Sequence, residues 1–118
     1  LYMASLHGDG DGRERSTLTS SNVDVSSAVL PGCRIHGSSI ECSVIERNAV
    51  ITDSKVTRSL LLSDVVVGRN SCIIDSIIGN GCRIGESVRI QGCVIADGIS
   101  VGDGEEMSSR RVGGRDEL

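Results

Sequence analysis

The sequence predicts an all-β chain that winds as a single-stranded parallel β-helix, a triangular solenoid of just under five coils. Three observations predict this fold class. Aliphatic residues recur at every fifth or sixth position from residue 23 to residue 101. Glycine, asparagine or aspartate recurs at fixed places between them, and these residue types best tolerate positive φ. The 118 residues include one Tyr and no Phe or Trp, so branched aliphatic side chains must supply the core.

The aliphatic positions fall on three faces when they are assigned to each face in turn. The face that starts at residue 29 then keeps one segment length throughout, and the face that starts at residue 23 keeps its length after the first segment. Each side is predicted to be a short strand that pairs in parallel with the strand one coil away, about 4.8 Å along the axis. One strand plus one corner explains an interval that suits neither a helix nor simple alternation. The predicted inward residues are Val23, Val29, Ile35, Ile40, Ile45, Ile51, Val56, Leu61, Val67, Ile73, Ile78, Ile84, Ile90, Ile95 and Val101.

The segments on one face also share their chemistry at other places. Places are counted within each segment from its leading aliphatic residue. On the face that starts at residue 29, the residue type at the fourth place predicts a sharp bend at positive φ. The residue at the fifth place is never charged and is predicted to point inward. The fourth places are Gly32, Asn48, Asp64, Gly81 and Gly98, and the fifth places are Cys33, Ala49, Val65, Cys82 and Ile99. On the face that starts at residue 23, a ladder of small side chains is predicted at Ser43, Ser59, Ser76 and Cys93.

Two other folds are alternatives to the solenoid. An irregular mixed fold would make the recurring Ile-Gly pairs a coincidence, which the constant segment lengths disfavour. An antiparallel β-sandwich has turns every 8–12 residues, and the interval in this chain is shorter than that.

The two ends of the chain lack the aliphatic interval and define the predicted domain bounds. Residues 1–22 are predicted to be a linker and the end of a connecting helix, residues 23–104 the solenoid, and residues 105–118 a polar C-terminal tail. The DGDG segment is similar to a calcium loop, but the twelfth position from Asp9 is Ser20, where such a loop needs Glu. The final RDEL is interpreted as a coincidental match to a retention signal, because no signal peptide is visible.

Composition disfavours several classes of partner. The net charge of −4 gives no reason to expect a nucleic-acid or anionic-membrane surface. No apolar run approaches the roughly 20 residues that span a bilayer. The five cysteines are odd in number and include no C-x-x-C pair, so we expect reduced, structural thiols in a cytoplasmic protein.

Catalytic motifs are scarce, and His36 is the only candidate within the predicted coils. No phosphate-binding glycine loop and no G-x-S-x-G motif occur. The architecture resembles that of hexapeptide acyltransferases, which use a histidine to deprotonate their acceptor, so His36 as a base is the alternative hypothesis. Those enzymes usually carry a protruding loop, and the interval here never breaks. The γ-class carbonic anhydrases bind metal through three histidines, and this chain has two.

The phrases SVIERNAVI, SLLLSDVVVG and DSIIGNGCRIG resemble the C-terminal left-handed β-helix of sugar-1-phosphate nucleotidyltransferases, such as glucose-1-phosphate adenylyltransferase or mannose-1-phosphate guanylyltransferase. The resemblance covers about residues 23–104. It implies left-handed winding, against the usual preference of parallel crossovers. It also implies that the catalytic residues lie in an N-terminal nucleotide-binding domain, none of whose motifs occur here. A solenoid of this kind would be inactive alone, hold no cofactor or metal, and support oligomer assembly or regulation.

The predicted contact residues are Leu30, Val50, Leu62 and Val66. If their side chains point outward they form an apolar stripe, which is typical of a contact with another subunit or with the protein's own N-terminal catalytic domain. A third hypothesis is a solenoid subunit of a translation-initiation exchange factor, which resembles the same family and needs a protein partner.

Overall fold

The computed structural model describes residues 17–113, and within this range the chain is entirely β-structure and turns. Eighteen short strands form three six-stranded sheets, here called A, B and C, and every pairing is parallel. Sheet A contains β1 (Thr17–Thr19), β4 (Arg34–His36), β7 (Val50–Thr52), β10 (Val66–Val67), β13 (Arg83–Ile84) and β16 (Ser100–Val101). Sheet B contains β2 (Asn22–Val23), β5 (Ser39–Glu41), β8 (Lys55–Thr57), β11 (Cys72–Ile74), β14 (Arg89–Gln91) and β17 (Glu106–Ser108). Sheet C contains β3 (Ala28–Val29), β6 (Val44–Ile45), β9 (Leu60–Leu61), β12 (Ile77–Ile78), β15 (Val94–Ile95) and β18 (Arg111–Val112).

Each strand pairs with the strand three places along the chain, which confirms the three-sided solenoid. In sheet C, Leu61 lies between Ile45 and Ile78, and Ile78 lies between Leu61 and Ile95. These four side chains are at most 1% exposed and form one interior column. The order of strands is the same for either hand of winding, so the left-handed coil stays an implication of the resemblance.

The described chain makes about six coils, and strands lie beyond both predicted solenoid bounds. β1 precedes residue 23, and β17 and β18 follow residue 104. Leu18, Met107 and Val112 continue the interval of five or six and pack against the core. Their polar neighbours concealed that continuity, because outward places in a solenoid tolerate any polar residue. The predicted connecting helix and the last five residues of the predicted tail lie outside the described residues.

The predicted corners and the predicted small-residue ladder are both present. Backbone φ is positive at each of Gly32, Asn48, Asp64, Gly81 and Gly98, with values of 82°, 60°, 64°, 69° and 72°. A side chain at Gly32 would collide with the Asn48 amide of the next coil, so this corner requires glycine. Of the fifth-place residues, Cys33, Ala49, Val65 and Cys82 are fully buried and Ile99 is partly buried.

The buried serines form hydrogen-bonded ladders along the solenoid axis. The backbone N–H of Ser59 donates to the Ser43 hydroxyl at 3.1 Å, and the N–H of Ser76 donates to the Ser59 hydroxyl at 3.1 Å. The N–H of Cys93 continues the ladder by donating to Ser76 Oγ at 3.0 Å. A second ladder, which the sequence reasoning missed, links Ser38, Ser54, Ser71 and Val88 at another corner. Both ladders satisfy buried backbone donors that the strands cannot reach.

Candidate functional site

His36, the candidate base, lies at the end of β4 on the outside of sheet A. It is exposed and pairs in register with Thr19 and Thr52. Within residues 17–113, no carboxylate or hydroxyl is hydrogen-bonded to its imidazole ring. Equivalent residues in successive coils are 16 or 17 positions apart in the sequence. The coils therefore have no inserted loop that could protrude over this histidine. The structure therefore gives His36 none of the partners that orient a general base.

An open groove runs along the corner between sheets A and B. Its lining includes Asp53, Lys55, Asn70 and Cys72. The Asp53 carboxylate lies 3.9 Å from Nε of Arg69, so this charge already has a partner. No group of three or more histidine, cysteine, aspartate or glutamate residues in the described part of the chain could hold a metal ion. The residues that line the groove do not include a combination of nucleophile, base and orienting group that would support catalysis.

The four predicted contact residues do not form a single stripe, because they lie on two different sheets. Leu30 and Leu62 each follow an inward residue of sheet C and point outward. Val50 and Val66 are paired with each other in sheet A. All four are half-buried. The prediction placed both pairs on one face, but the sixth residue of each segment already begins the next side of the triangle.

The longest outward aliphatic column lies in sheet C, and the sequence reasoning missed it. Ala28, Val44, Leu60, Ile77 and Val94 stack in register across five strands. Val44, Ile77 and Val94 are 39%, 43% and 45% exposed. Each residue directly precedes an inward aliphatic residue, and that recurring pair of aliphatic residues is the signal that could have revealed the column.

The corresponding outward places of sheet B carry no aliphatic side chain. They are Asn22, Ser39, Lys55, Cys72, Arg89 and Glu106, again in register. The outward column of sheet A mixes charged and apolar residues, since Arg34 and Arg83 flank the paired valines. Sheet C is thus the side of the triangle whose surface is chiefly apolar.

An ion pair joins adjacent coils at the corner between sheets B and C. Arg58 Nε donates to Asp75 Oδ1 at 2.6 Å, and Nη2 donates to Oδ2 at 3.0 Å. The hydrogen bond from Arg58 lowers the pKa of Asp75, and the same bond raises the pKa of Arg58. Both side chains are largely exposed, so water and salt screen the interaction.

The five cysteines are all free, and Cys33, Cys82 and Cys93 are buried in the core. Burial raises the pKa of the Cys82 thiol, whose Sγ donates to the carbonyl of Ala96 at 3.0 Å. These three residues therefore serve packing and ladder bonding, as the sequence predicts.

No helix that could cross a membrane occurs between residues 17 and 113.

Solved structures confirm the solenoid architecture. A mutant GDP-perosamine N-acetyltransferase from Caulobacter crescentus, bound to CoA and GDP-perosamine, is 22% identical over 83% of this chain and 53% of its own, with a TM-score of 0.72. A second mutant from that organism is 21% identical with the same coverage and a TM-score of 0.74. A hexapeptide transferase family protein from Anaplasma phagocytophilum is 17% identical over 76% of this chain and 74% of its own, with a TM-score of 0.54. The chain spans about half the length of the two acetyltransferases. At these identities the similarity shows the fold alone.

A family model matches the sequence of the whole described solenoid. No curated protein matches the chain. The family model for the GMPPB C-terminal domain, from mannose-1-phosphate guanylyltransferase beta, matches residues 17–113. That range coincides with the described coils and confirms the resemblance carried by the repeated phrases. The chain therefore belongs to the GMPPB C-terminal domain family.

Proposed function

We propose that this chain is the non-catalytic C-terminal solenoid of a sugar-1-phosphate nucleotidyltransferase, and that it serves oligomer assembly or regulation in nucleotide-sugar synthesis. The family match over residues 17–113 carries the proposal, because a C-terminal domain belongs to a larger protein. The partner is another subunit or the protein's own N-terminal catalytic domain.

The surface chemistry supports a binding role over a catalytic one. The only histidine in the described coils, His36, lacks an orienting partner, whereas the outside of sheet C presents a continuous aliphatic column. Exposed apolar surface of this kind is typical of contacts between proteins. Five free thiols also support a reducing compartment, and we place the protein in the cytoplasm.

A small hexapeptide acyltransferase with His36 as base is the second candidate. The fold similarity to acetyltransferases that bind CoA favours it. Those enzymes share about a fifth of their residues with this chain, and the coils here carry no protruding loop. We therefore rank this function second.

Titration of the chain with acetyl-CoA, followed by calorimetry, distinguishes the two functions. The proposed role predicts no binding heat for the chain and none for the His36→Ala variant. Saturable binding of acetyl-CoA, with acetyl transfer that is lost in His36→Ala, would instead establish the acyltransferase.

The reading frame upstream of codon 1 tests the proposal independently. We expect it to encode a strand followed by a glycine-rich loop of the kind that cradles nucleotide phosphates. An upstream region without such a nucleotide-binding unit would contradict the nucleotidyltransferase assignment.

A further inference from the structure

We propose that the outer face of sheet C is a two-fold interface with a second copy of this chain, in which the two solenoid axes run antiparallel. The inference rests on the assembly role proposed above and narrows it to one face, one partner and one orientation. Three properties of the face carry it: composition, self-complementary shape and the placement of charge.

The face consists of two outward columns, one on each side of the inward residues. Column one is Ala28, Val44, Leu60, Ile77, Val94 and Arg111, in register along the sheet. Column two is Leu30, Glu46, Leu62, Gly79, Ala96 and Gly113, which follow the inward residues; the first five donate backbone hydrogen bonds to the next coil. Glu46 and Arg111 are the only charged residues among these two columns. Such a composition is typical of an interface centre and unusual for solvated surface.

Column one has nearly the same order of side chains in both directions. A two-fold axis that lies in the interface and runs along the strands reverses the order of coils in the partner. Val44 then lies against the partner's Val94, and Leu60 lies against the partner's Ile77. An isologous interface requires this kind of self-complementarity, because the same patch supplies both sides.

Column two is bulky in its first half and small in its second half. The same reversal places Leu30 against the partner's Gly113, Leu62 against the partner's Gly79, and Glu46 against the partner's Ala96. Large side chains therefore fill the space that small ones leave open, which close packing at an interface requires.

The charges also favour the antiparallel orientation. Reversal brings the partner's Arg111 opposite the first coil of the face, one coil from Glu46. Strand and sheet spacings put the two backbones roughly 13 Å apart, within the combined reach of both side chains. The symmetry generates this opposite-charge contact twice. A parallel arrangement would instead bring Glu46 close to the partner's Glu46, and like charges at an interface disfavour a complex.

The size of the face predicts a weak dimer. Six stacked strands span about 24 Å, and a side of five or six residues is about 18 Å wide, so each protomer buries on the order of 400–500 Å². The total is near the lower end of specific interfaces, so we expect a dissociation constant on the order of micromolar or weaker.

Sedimentation equilibrium of the full chain in reducing buffer, over a wide concentration range, tests the interface. We expect a monomer–dimer equilibrium that Ile77→Glu weakens by at least about 30-fold, because the partner's copy of the substitution doubles the buried charge. Cys72→Glu is the matched control, since it occupies the same outward place on sheet B in the same coil and should leave the dissociation constant unchanged. Circular dichroism checks that both variants keep the solenoid.

A charge exchange tests the orientation separately. Glu46→Arg and Arg111→Glu should each weaken the dimer several-fold, and the double variant should restore it, because the exchanged pair is again opposite in sign.

A wild-type chain that stays monomeric, or forms a trimer, would overturn the inference, as would a dimer that Ile77→Glu leaves intact. Additive losses in the charge-exchange variants would overturn the antiparallel orientation. None of these results bears on the upstream reading frame or on acetyl-CoA binding, so the proposed function and this inference can fail independently.

Discussion

Sheets B and C place the same kind of side chain inside the solenoid and different kinds outside. Ile73 in sheet B and Ile78 in sheet C are both fully buried and pair with aliphatic neighbours on either side. On the outside, Cys72 lies between Lys55 and Arg89, whereas Ile77 lies between Leu60 and Val94.

Within its strands, the solenoid therefore constrains the inward residue and leaves the outward residues free to vary. The four central strands of sheet B pair as regularly as those of sheet C, although Ile74 is their one outward aliphatic residue. The apolar outside of sheet C is therefore not needed for strand pairing or core formation. Its chemistry is best explained by a surface that another protein covers.

The largest effect is expected from truncating the inward residues. Ile78→Ala and Ile73→Ala should each lower the free energy of unfolding by about 2–5 kcal/mol, since each leaves a cavity in a thin core. The outward controls, Ile77→Ala and Cys72→Ala, should change it by no more than about 0.5 kcal/mol in dilute solution. Urea unfolding followed by circular dichroism measures all four. Equal losses for inward and outward variants would break the comparison.

A smaller effect is expected at the serine ladder, at the corner between sheets B and C. Ser59→Ala removes the hydroxyl that accepts the Ser76 N–H and donates to the Thr57 carbonyl at 2.8 Å. We expect a loss of about 1–3 kcal/mol in the free energy of unfolding, because a buried donor is left without a partner.

The matched variant for this ladder is Ser59→Cys. Cys93 already occupies the corresponding place one coil beyond Ser76, with its Sγ 3.4 Å from the Gln91 carbonyl. A thiol should therefore preserve more stability than alanine does. A Ser59→Ala variant as stable as the wild type would show that the ladder hydrogen bond contributes nothing, and equal stability of the alanine and cysteine variants would show that a thiol cannot replace the hydroxyl.

The smallest effect is expected from the ion pair at the same corner. Asp75 has a pKa below its ordinary value of 3.8 in the folded chain, so the pair stabilises the fold above that pH and the contribution is lost as pH falls through the folded pKa. Arg58→Ala should slightly lower the urea midpoint at neutral pH and match the wild type in strong acid. A double-mutant cycle with Asp75→Ala measures the coupling, and a coupling that persists in strong acid would contradict this account.

Much of the fold was accessible from residue order. The inward column, the positive-φ corners at Asn48 and Asp64, and the ladder through Ser59 were all predicted and are present. Each of these features recurs once per coil. A position that must be aliphatic, adopt positive φ or carry a small side chain therefore produces a periodic pattern in the sequence. Of the four predicted contact residues, Leu30 and Leu62 lie on the sheet C face that we propose as the interface, whereas Val50 and Val66 lie on sheet A.

The repeat and its interior follow from the sequence alone, because small and branched aliphatic residues fill a narrow triangular interior and few residue types can turn its corners. Tertiary structure alone decided which described segments outside residues 23–104 join the coils and which outward residues become neighbours. Glu106 is in a strand because the neighbouring coil offers it a pairing partner, against the weak intrinsic preference of glutamate for β-structure. Leu60 and Ile77 are neighbours because stacking places residues one coil apart side by side, and no steric requirement of the fold fixes which residue type stands at these outward positions.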